Sequence, residues 1–256
     1  MKVVFLGSGN VATRLGTALF DSGNQIIQVW SRSLKNSEEL ASELGARPLN
    51  DLKNVDSSAD LYIISVIDDA ISTVAKDLSL SGKIVVHTSG TVGMDVLRDV
   101  SDKTGVFYPL QTFSKQKPVD FTQIPILIEG SSPEVSAVLF SLAEQISQKV
   151  LELDSEGRRI LHVAAVFACN FTNHLYTLAQ DILDRKNLDF DLLRPLIAET
   201  AAKVQDFDPV KVQTGPAVRS DSGTMDNHRE LLKNAPELLD LYDKLSRSII
   251  TRYKSF

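Results

Sequence analysis

Gly7, Gly9 and Ala12 stand in the order G-x-G-x-x-A directly behind the apolar run Val3-Val4-Phe5-Leu6, and a helical apolar pattern (Ala12, Leu15, Ala18, Leu19) begins at once. Those residue types at that spacing suit one task. Gly7 permits a tight strand-to-helix turn, Gly9 has no Cβ to keep a pyrophosphate off the backbone, and small Ala12 lets the helix pack closely on the strand. The helix N-terminus turns free N–H groups and a positive dipole end toward the phosphates. Gly7, Gly9 and the helix N-terminus therefore point to a bound dinucleotide. The pattern is weak alone and strong at the first βα turn of a chain that continues β-α-β.

The end of the second strand says which dinucleotide. In an NAD-binding turn of this kind an Asp or Glu there accepts hydrogen bonds from the ribose hydroxyls. Here the sequence reads Val29-Trp30-Ser31-Arg32-Ser33, with no carboxylate. Two hydroxyls and a planar guanidinium suit a 2′-phosphate, so Ser31, Arg32 and Ser33 predict NADP rather than NAD. Ser65 and Val66, at the end of a β-branched buried strand, should run beside the pyrophosphate and ribose. His87, ending the next strand, either donates a proton or orients a carbonyl near the nicotinamide, or else caps its own loop. Gln111 and Thr112 are polar in the otherwise apolar Tyr108–Phe113 stretch and are candidate ligand contacts.

Further on, His162, Asn170, Asn173 and His174 interrupt a mainly apolar helical stretch. At about 100° per residue His162 and Asn173 fall roughly 20° apart around an α-helix and about 16 Å apart along it. A polar stripe on a buried helix needs partners for every group. It lines either a substrate cleft or a contact between helices or subunits; His162, Asn170 and Asn173 are candidate catalytic groups and His174 a substrate contact. Arg219, in Gly215-Pro216-Ala217-Val218-Arg219-Ser220-Asp221, binds a substrate anion or pairs with Asp221 to brace the loop. No spacing of His, Cys, Asp or Glu suggests a metal site.

The elements that must position these groups alternate through the first half, the pattern of a mostly parallel α/β sheet. Strands are expected at 3–6, 25–30, 46–48, 61–66, 84–87, 106–108, 124–129 and 149–153, with helices at 10–21, 37–44, from 69, and at 133–146. After Asp154 the character changes. Residues 155–183 read as one long helix, apolar all round and hence buried on most sides, followed by helices at 191–204 and 236–253 around a loop at 206–223. This predicts an NADP-binding Rossmann-like domain at 1–154 and an all-α domain at 155–256.

The bulk numbers agree with a globular chain: 256 residues, 43% hydrophobic and 23% charged. A net charge of −6 with no basic run argues against a nucleic-acid partner. The one cysteine, Cys169, excludes an internal disulfide and suits a reducing cytoplasm; its apolar neighbours predict a small buried residue. The chain opens on a core strand, leaving no signal peptide, and the longest apolar stretch is too short to span a bilayer.

The order GSGNVA, WSRS, SVIDDAI, HTSG, YPLQTF, AVFACNFTNHL and TGPAVRSD resembles that of bacterial proteins with a Rossmann-like N-terminal domain and a C-terminal domain of unknown function 2520. More distantly it is similar to the 6-phosphogluconate dehydrogenase superfamily, which includes β-hydroxyacid dehydrogenases and pyrroline-5-carboxylate reductase. The resemblance implies NADP at Gly7–Val11 and Ser31–Ser33, a cleft between the domains, and a homodimer formed through the helical domain. One departure stands out. β-Hydroxyacid dehydrogenases carry a proton-transferring Lys four residues before an Asn; here Val166 precedes Asn170 and Cys169 precedes Asn173 by that spacing. The expected function is an NADP-dependent oxidoreductase acting on a small carbonyl, hydroxyl or imine substrate in the interdomain cleft. The alternative is an NADP-binding sensor or regulatory dimer without turnover, and a dimerisation scaffold would need no dinucleotide at all.

Overall fold

Side chains alternate across β1 (Lys2–Leu6), so Val3 and Phe5 enter one apolar layer and Val4 and Leu6 the other, all without solvent exposure. Both faces of the strand are thus covered, as a parallel sheet requires. The same pattern runs through β2 (Gln25–Trp30), β4 (Leu61–Ile64) and β5 (Ile84–His87). Together with β3 (Arg47–Leu49), β6 (Lys103–Pro109), β7 (Ile126–Gly130) and β8 (Val150–Glu152) they form one sheet in the order β3-β2-β1-β4-β5-β6-β7-β8. Only β6 and β7 pair antiparallel. Strand order reverses at β1, between β2 and β4, which places a crevice at the carboxyl ends of these strands.

One face of the sheet carries α1 (Asn10–Asp21), α2 (Leu34–Leu44) and α4 (Pro133–Glu144), which contribute Leu15, Leu40 and Leu139 to the core. The other carries α3 (Asp68–Lys76) through Ile71 and Val74. α2 begins three residues earlier than its apolar pattern indicates. Ser33 takes the extended N-cap position, and Gly45, left-handed at φ 63°, ends the helix.

The structure, a computed structural model, describes residues 1–253. It divides into two compact units, Met1–Cys169 and the remainder from Asn170. α5 (Ser155–Ala165), capped by the Asp154 carboxylate on the Gly157 N–H at 2.8 Å, falls in the unit that holds the sheet. Beyond it lie α6 (Thr172–Asp184), α7 (Arg194–Asp206), α8 (Pro209–Val212), α9 (Ser222–Leu232) and α10 (Pro236–Tyr253).

Three expectations fail along this helical stretch. Residues 155–183 are not one uniform α-helix: a π segment, Val166–Phe171, separates α5 from α6. A π turn departs from the 3.6-residue repeat, so the α-helical count that drew a stripe through His162 and Asn173 does not hold. Nor is the helix buried. Ile160 is 67% exposed and Val163 57%, and Leu175 and Ile182 are exposed too. Cys169 lies in the same stretch and is exposed. Apolar composition says that a face must be covered, not which molecule covers it. The loop expected at 206–223 also contains α8, and α9 follows directly. Its start is marked by Asp221, whose carboxylate accepts from the Thr224 N–H (3.1 Å) and Oγ1 (2.8 Å). Asp221 thus caps α9, and among the described residues it forms no ion pair with Arg219. α9 and α10 are clasped by Arg229 on Asp243 (2.8 Å) and by His228 Nδ1 on Tyr242 Oη (3.0 Å).

No helix among the described residues is long and apolar enough to cross a membrane.

Candidate functional site

At the carboxyl edge of the sheet the chain leaves β1 through Gly7, whose N–H donates to Trp30 O at 2.8 Å while Ser65 N–H donates to Leu6 O at 2.8 Å. Gly7 is thus held between the ends of β2 and β4. Its φ of +134° and the Ser65 carbonyl oxygen, 1.9 Å from where a Cβ would sit, exclude any side chain. Gly9 is the opposite case. It has ordinary extended backbone (φ −77°, ψ −173°) at the N-cap of α1, and a Cβ there would meet no protein atom within 4 Å. α1 has no side-chain cap, so its first-turn N–H groups are left for a ligand.

These residues line a cleft of about 590 Å³, the size of a ligand pocket. Gly7, Ser8, Gly9, Asn10, Val11, Ser31, Arg32, Ser65 and Val66 all border it. Ser33 does not; it sits at the N-cap of α2. Arg32 is exposed and has no ion-pair partner among the described residues. Trp30, Asn36, Asp68, Thr88, Gly90, Tyr108, Gln111, Lys115 and His162 are also among its lining residues. Lys115 is brought there by Arg14 of α1, whose guanidinium donates to Ser114 O at 2.8 Å and to Lys115 O. Sequence reading passes over this clasp because its partners lie about a hundred residues apart.

His87 lies in the core, fully buried, outside the cleft lining. Ser89 N–H donates to its Nδ1 at 3.2 Å, which leaves Nε2 to donate to Gly93 O at 3.4 Å. Both nitrogens hold the loop that follows β5. Burial first, and the Arg158 charge second, push His87 down to about 4. The unfolded chain titrates at the ordinary value near 6.5, so between these values it carries the extra proton. The stability due to neutral His87 is complete above about pH 6.5 and is lost as pH falls toward 4, about 3 kcal/mol in all. His87→Asn, which keeps an acceptor for Ser89 N–H, should flatten that acid slope in urea melts between pH 4 and 7. An unchanged slope would remove the assignment.

Arg158 braces the same loop from α5. It is wholly buried and donates to Ser89 O (3.2 Å), Val92 O (2.7 Å) and the Glu129 carboxylate of β7 (2.5 Å). Ser155 Oγ also donates to Glu129, at 2.8 Å. A buried charge so fully paired fixes geometry more than it adds stability. No local sequence signal reveals it, since every partner except Ser155 comes from another element.

His162 reaches the cleft from α5. Its Nδ1 lies 3.0 Å from Tyr108 Oη, which projects from the end of β6. Burial, then the Asp68 charge, raise the Tyr108 phenol above its usual range despite Arg158, so it stays protonated at neutral pH. Gln111 borders the cleft, while its Oε1 accepts from the Thr112 N–H at 2.8 Å. Asn170, Asn173, His174 and Arg219 belong to the second unit and are exposed. There His174 borders a separate hollow of about 460 Å³ with Asp181, Arg185 and Pro236.

Comparison with known proteins agrees with this edge. Residues 2–90 match the family described as NADP oxidoreductase coenzyme F420-dependent, and residues 124–249 match the domain of unknown function DUF2520. No curated protein matches. Among solved structures, "putative NADP oxidoreductase BF3122 from Bacteroides fragilis" is 45% identical over 98% of both chains, with a TM-score of 0.92. Two others share the fold: an imine reductase from Myxococcus stipitatus in complex with NADP+ (16% identity, 99% of each chain, TM-score 0.68) and a 1-pyrroline-5-carboxylate reductase from Streptococcus pyogenes (15%, 100% and 99%, 0.65). The glycine turn at the β1/β4 crevice, the carboxylate-free end of β2 and the match over the whole chain lead to one conclusion: this chain belongs to the NADP oxidoreductase family that the Bacteroides protein represents, with a Rossmann-like sheet in its N-terminal part and a DUF2520 match that takes in β7, α4 and β8 together with the helices after them.

Proposed function

We propose that the chain exchanges reducing equivalents between NADP and a small carbonyl, hydroxyl or imine compound. The observation that carries this reading is the convergence, in one cleft, of the Gly7–Val11 turn, Ser31 and Arg32 at one end of the residue set and Tyr108, Gln111 and His162 at the other. The residues fit the dinucleotide: Gly9 leaves open space, the α1 N-terminus is uncapped by any side chain, and Arg32 is unpaired among the described residues. Bound there, the nicotinamide supplies hydride chemistry. Gly7, Ser8, Gly9, Asn10 and Val11 would hold the pyrophosphate, Ser65 and Val66 the adjacent ribose, and Ser31 and Arg32 the 2′-phosphate.

Arg32→Ala tests the cofactor end. Loss of a charge-assisted fork costs about 1.5–3 kcal/mol, so the Kd for NADPH should rise roughly 10- to 150-fold while that for NADH barely moves. Equal losses for both would sink the 2′-phosphate assignment.

A sensor without turnover is the competing reading. It is favoured by Val166 and Cys169 standing where a proton-transferring lysine is expected, and by the withdrawal of His87 into the core. Substrate-dependent loss of NADPH absorbance supports the enzyme. Tight NADPH binding with no turnover across a carbonyl and imine panel supports the sensor.

The active form in this proposal is a homodimer built through the helical domain. In the second unit Ala217, Met225 and Leu232 are the only buried large or small apolar side chains among the described residues, while Leu192 and Leu196 are 65% and 62% exposed. A helical unit with so small a core needs a covering surface, and a second copy presents the same apolar helices. Asn170 and Asn173 stay in the proposal as candidate catalytic groups, and His174 and Arg219 as candidate substrate contacts. Cytoplasmic operation rests on the single cysteine and the absence of any disulfide that one cysteine entails.

A further inference from the structure

We propose that Tyr108 and His162 form a proton relay: Tyr108 gives its hydroxyl proton to the heteroatom of the substrate, and His162 replaces it through Nδ1. The inference rests on the oxidoreductase reading and assigns the proton half of that reaction. It also narrows the substrate to an uncharged C=O or C=N group, which must gain a proton as it is reduced.

The geometry is built for the pair. Tyr108 Oη and His162 Nδ1 are 3.0 Å apart, with the rings tilted at 56° and their centroids 6.2 Å apart. Both side chains border the same cleft as the glycine turn. Gly90 makes room for them: a Cβ there would lie 2.5 Å from His162 Nδ1 and 2.9 Å from Tyr108 Oη. Gly90 is in turn seated by Arg158, which holds the neighbouring Ser89 and Val92 carbonyls, and by His87 on Gly93. Two elements distant in sequence, the end of β6 and α5, thus meet over a position where a side chain would displace them. With the Nδ1 proton directed at Tyr108 Oη, the phenol hydrogen is free to donate into the cleft.

The reductant is a reduced nicotinamide dinucleotide, whose C4–H bond supplies two electrons and a hydrogen to the substrate carbon. The π pair of the C=O or C=N bond moves onto oxygen or nitrogen, and that atom takes the Tyr108 proton as the phenolic O–H bond breaks. The phenolate takes the Nδ1 proton of a His162 imidazolium, leaving neutral imidazole. Water then returns the proton to the half-buried ring. Charge balances, since the imidazolium's positive charge reappears on the oxidised nicotinamide. In the reverse direction Tyr108 accepts the proton of an alcohol or amine.

Ultraviolet titration of tyrosinate in the full chain tests this without turnover. Addition of NADP+, whose ring is cationic, should lower the pKa of one tyrosine by about 1 unit or more, and NADPH should not; the shift should vanish in Tyr108→Phe. A turnover readout then separates proton transfer from simple support. On a ketone or uncharged cyclic imine Tyr108→Phe should lose about 10²- to 10⁴-fold in kcat, yet on an N-methyl iminium cation, which needs no proton, less than tenfold. His162→Gln should lose activity in the same selective way. No tyrosine shift with bound NADP+, or equal losses on both substrate types, would overturn the relay and leave the oxidoreductase reading standing. A wild-type chain that binds NADP+ and reduces no member of the panel removes the oxidoreductase reading, and the relay with it.

Discussion

Gly7→Ala should leave a chain that no longer folds stably, whereas Gly9→Ala, two residues away, should fold at least as well as wild type and fail only with cofactor. At Gly7 the backbone has φ +134° and the added methyl would lie 1.9 Å from the Ser65 carbonyl oxygen. The conformation alone costs about 1–3 kcal/mol for a non-glycine residue. The collision is with backbone that β1 and β4 hold by the Ser65-to-Leu6 hydrogen bond at 2.8 Å, so it cannot be relieved by a rotamer change. A total loss above about 3 kcal/mol is expected, a large part of what a domain has. At Gly9 the backbone suits alanine and open space surrounds the methyl. Lower entropy of the unfolded chain should stabilise this variant by about 0.4–1 kcal/mol. The methyl would intrude on the pyrophosphate, costing about 1–3 kcal/mol of NADPH affinity, or roughly 5- to 150-fold in Kd. Thermal melts and NADPH fluorescence titrations of the two variants separate these outcomes. Similar behaviour of both would mean that the turn serves the fold alone.

The second large effect concerns association. Wild-type chain at micromolar concentration should sediment with the mass of two copies, and Leu196→Glu should sediment as one. Leu196 is 62% exposed on α7, in a unit whose described residues bury few apolar side chains. A glutamate trapped in an apolar interface costs several kcal/mol, and two-fold symmetry repeats it on the partner. At about 3 kcal/mol each, the dimer Kd would rise roughly 10⁴-fold. Because the same surface would complete the helical core, far-ultraviolet dichroism should also show earlier, less cooperative melting. Leu196→Met, which keeps size and polarity, should behave as wild type. Wild-type protein that stays monomeric well into the micromolar range would remove the dimer from the proposal.

Much of the first unit was legible from sequence because its signals are local. The unbroken apolar runs of β1, β4 and β5 follow from burial on both faces, and the glycine spacing reports a turn whose sterics involve few residues. The bounds of β5 and α1 need no adjustment, and those of β3 and α2 move by only one to three residues. The candidate site divides along the same line. Gly7 to Val11, Ser31, Arg32, Ser65 and Val66 reach the cleft as expected, since strand ends in a parallel sheet have one place to go. His87 does not, because the direction of its ring is set by Gly93 and Ser89 after the loop has closed.

The sequence by itself determined a strand–glycine turn–helix entrance, a carboxylate-free second strand end and a helical second half, each a short-range pattern of volume, charge and periodicity. Tertiary structure alone decided that Tyr108 meets His162 over Gly90, that Arg158 is buried against Glu129, and that Arg14 carries Lys115 to the cleft. It also showed the apolar face of the long helical stretch to be exposed rather than buried in its own chain. The reason is physical. Periodicity encodes which side of an element avoids water, but contacts between elements far apart in sequence depend on crossing geometry and on a π turn that no local composition announces.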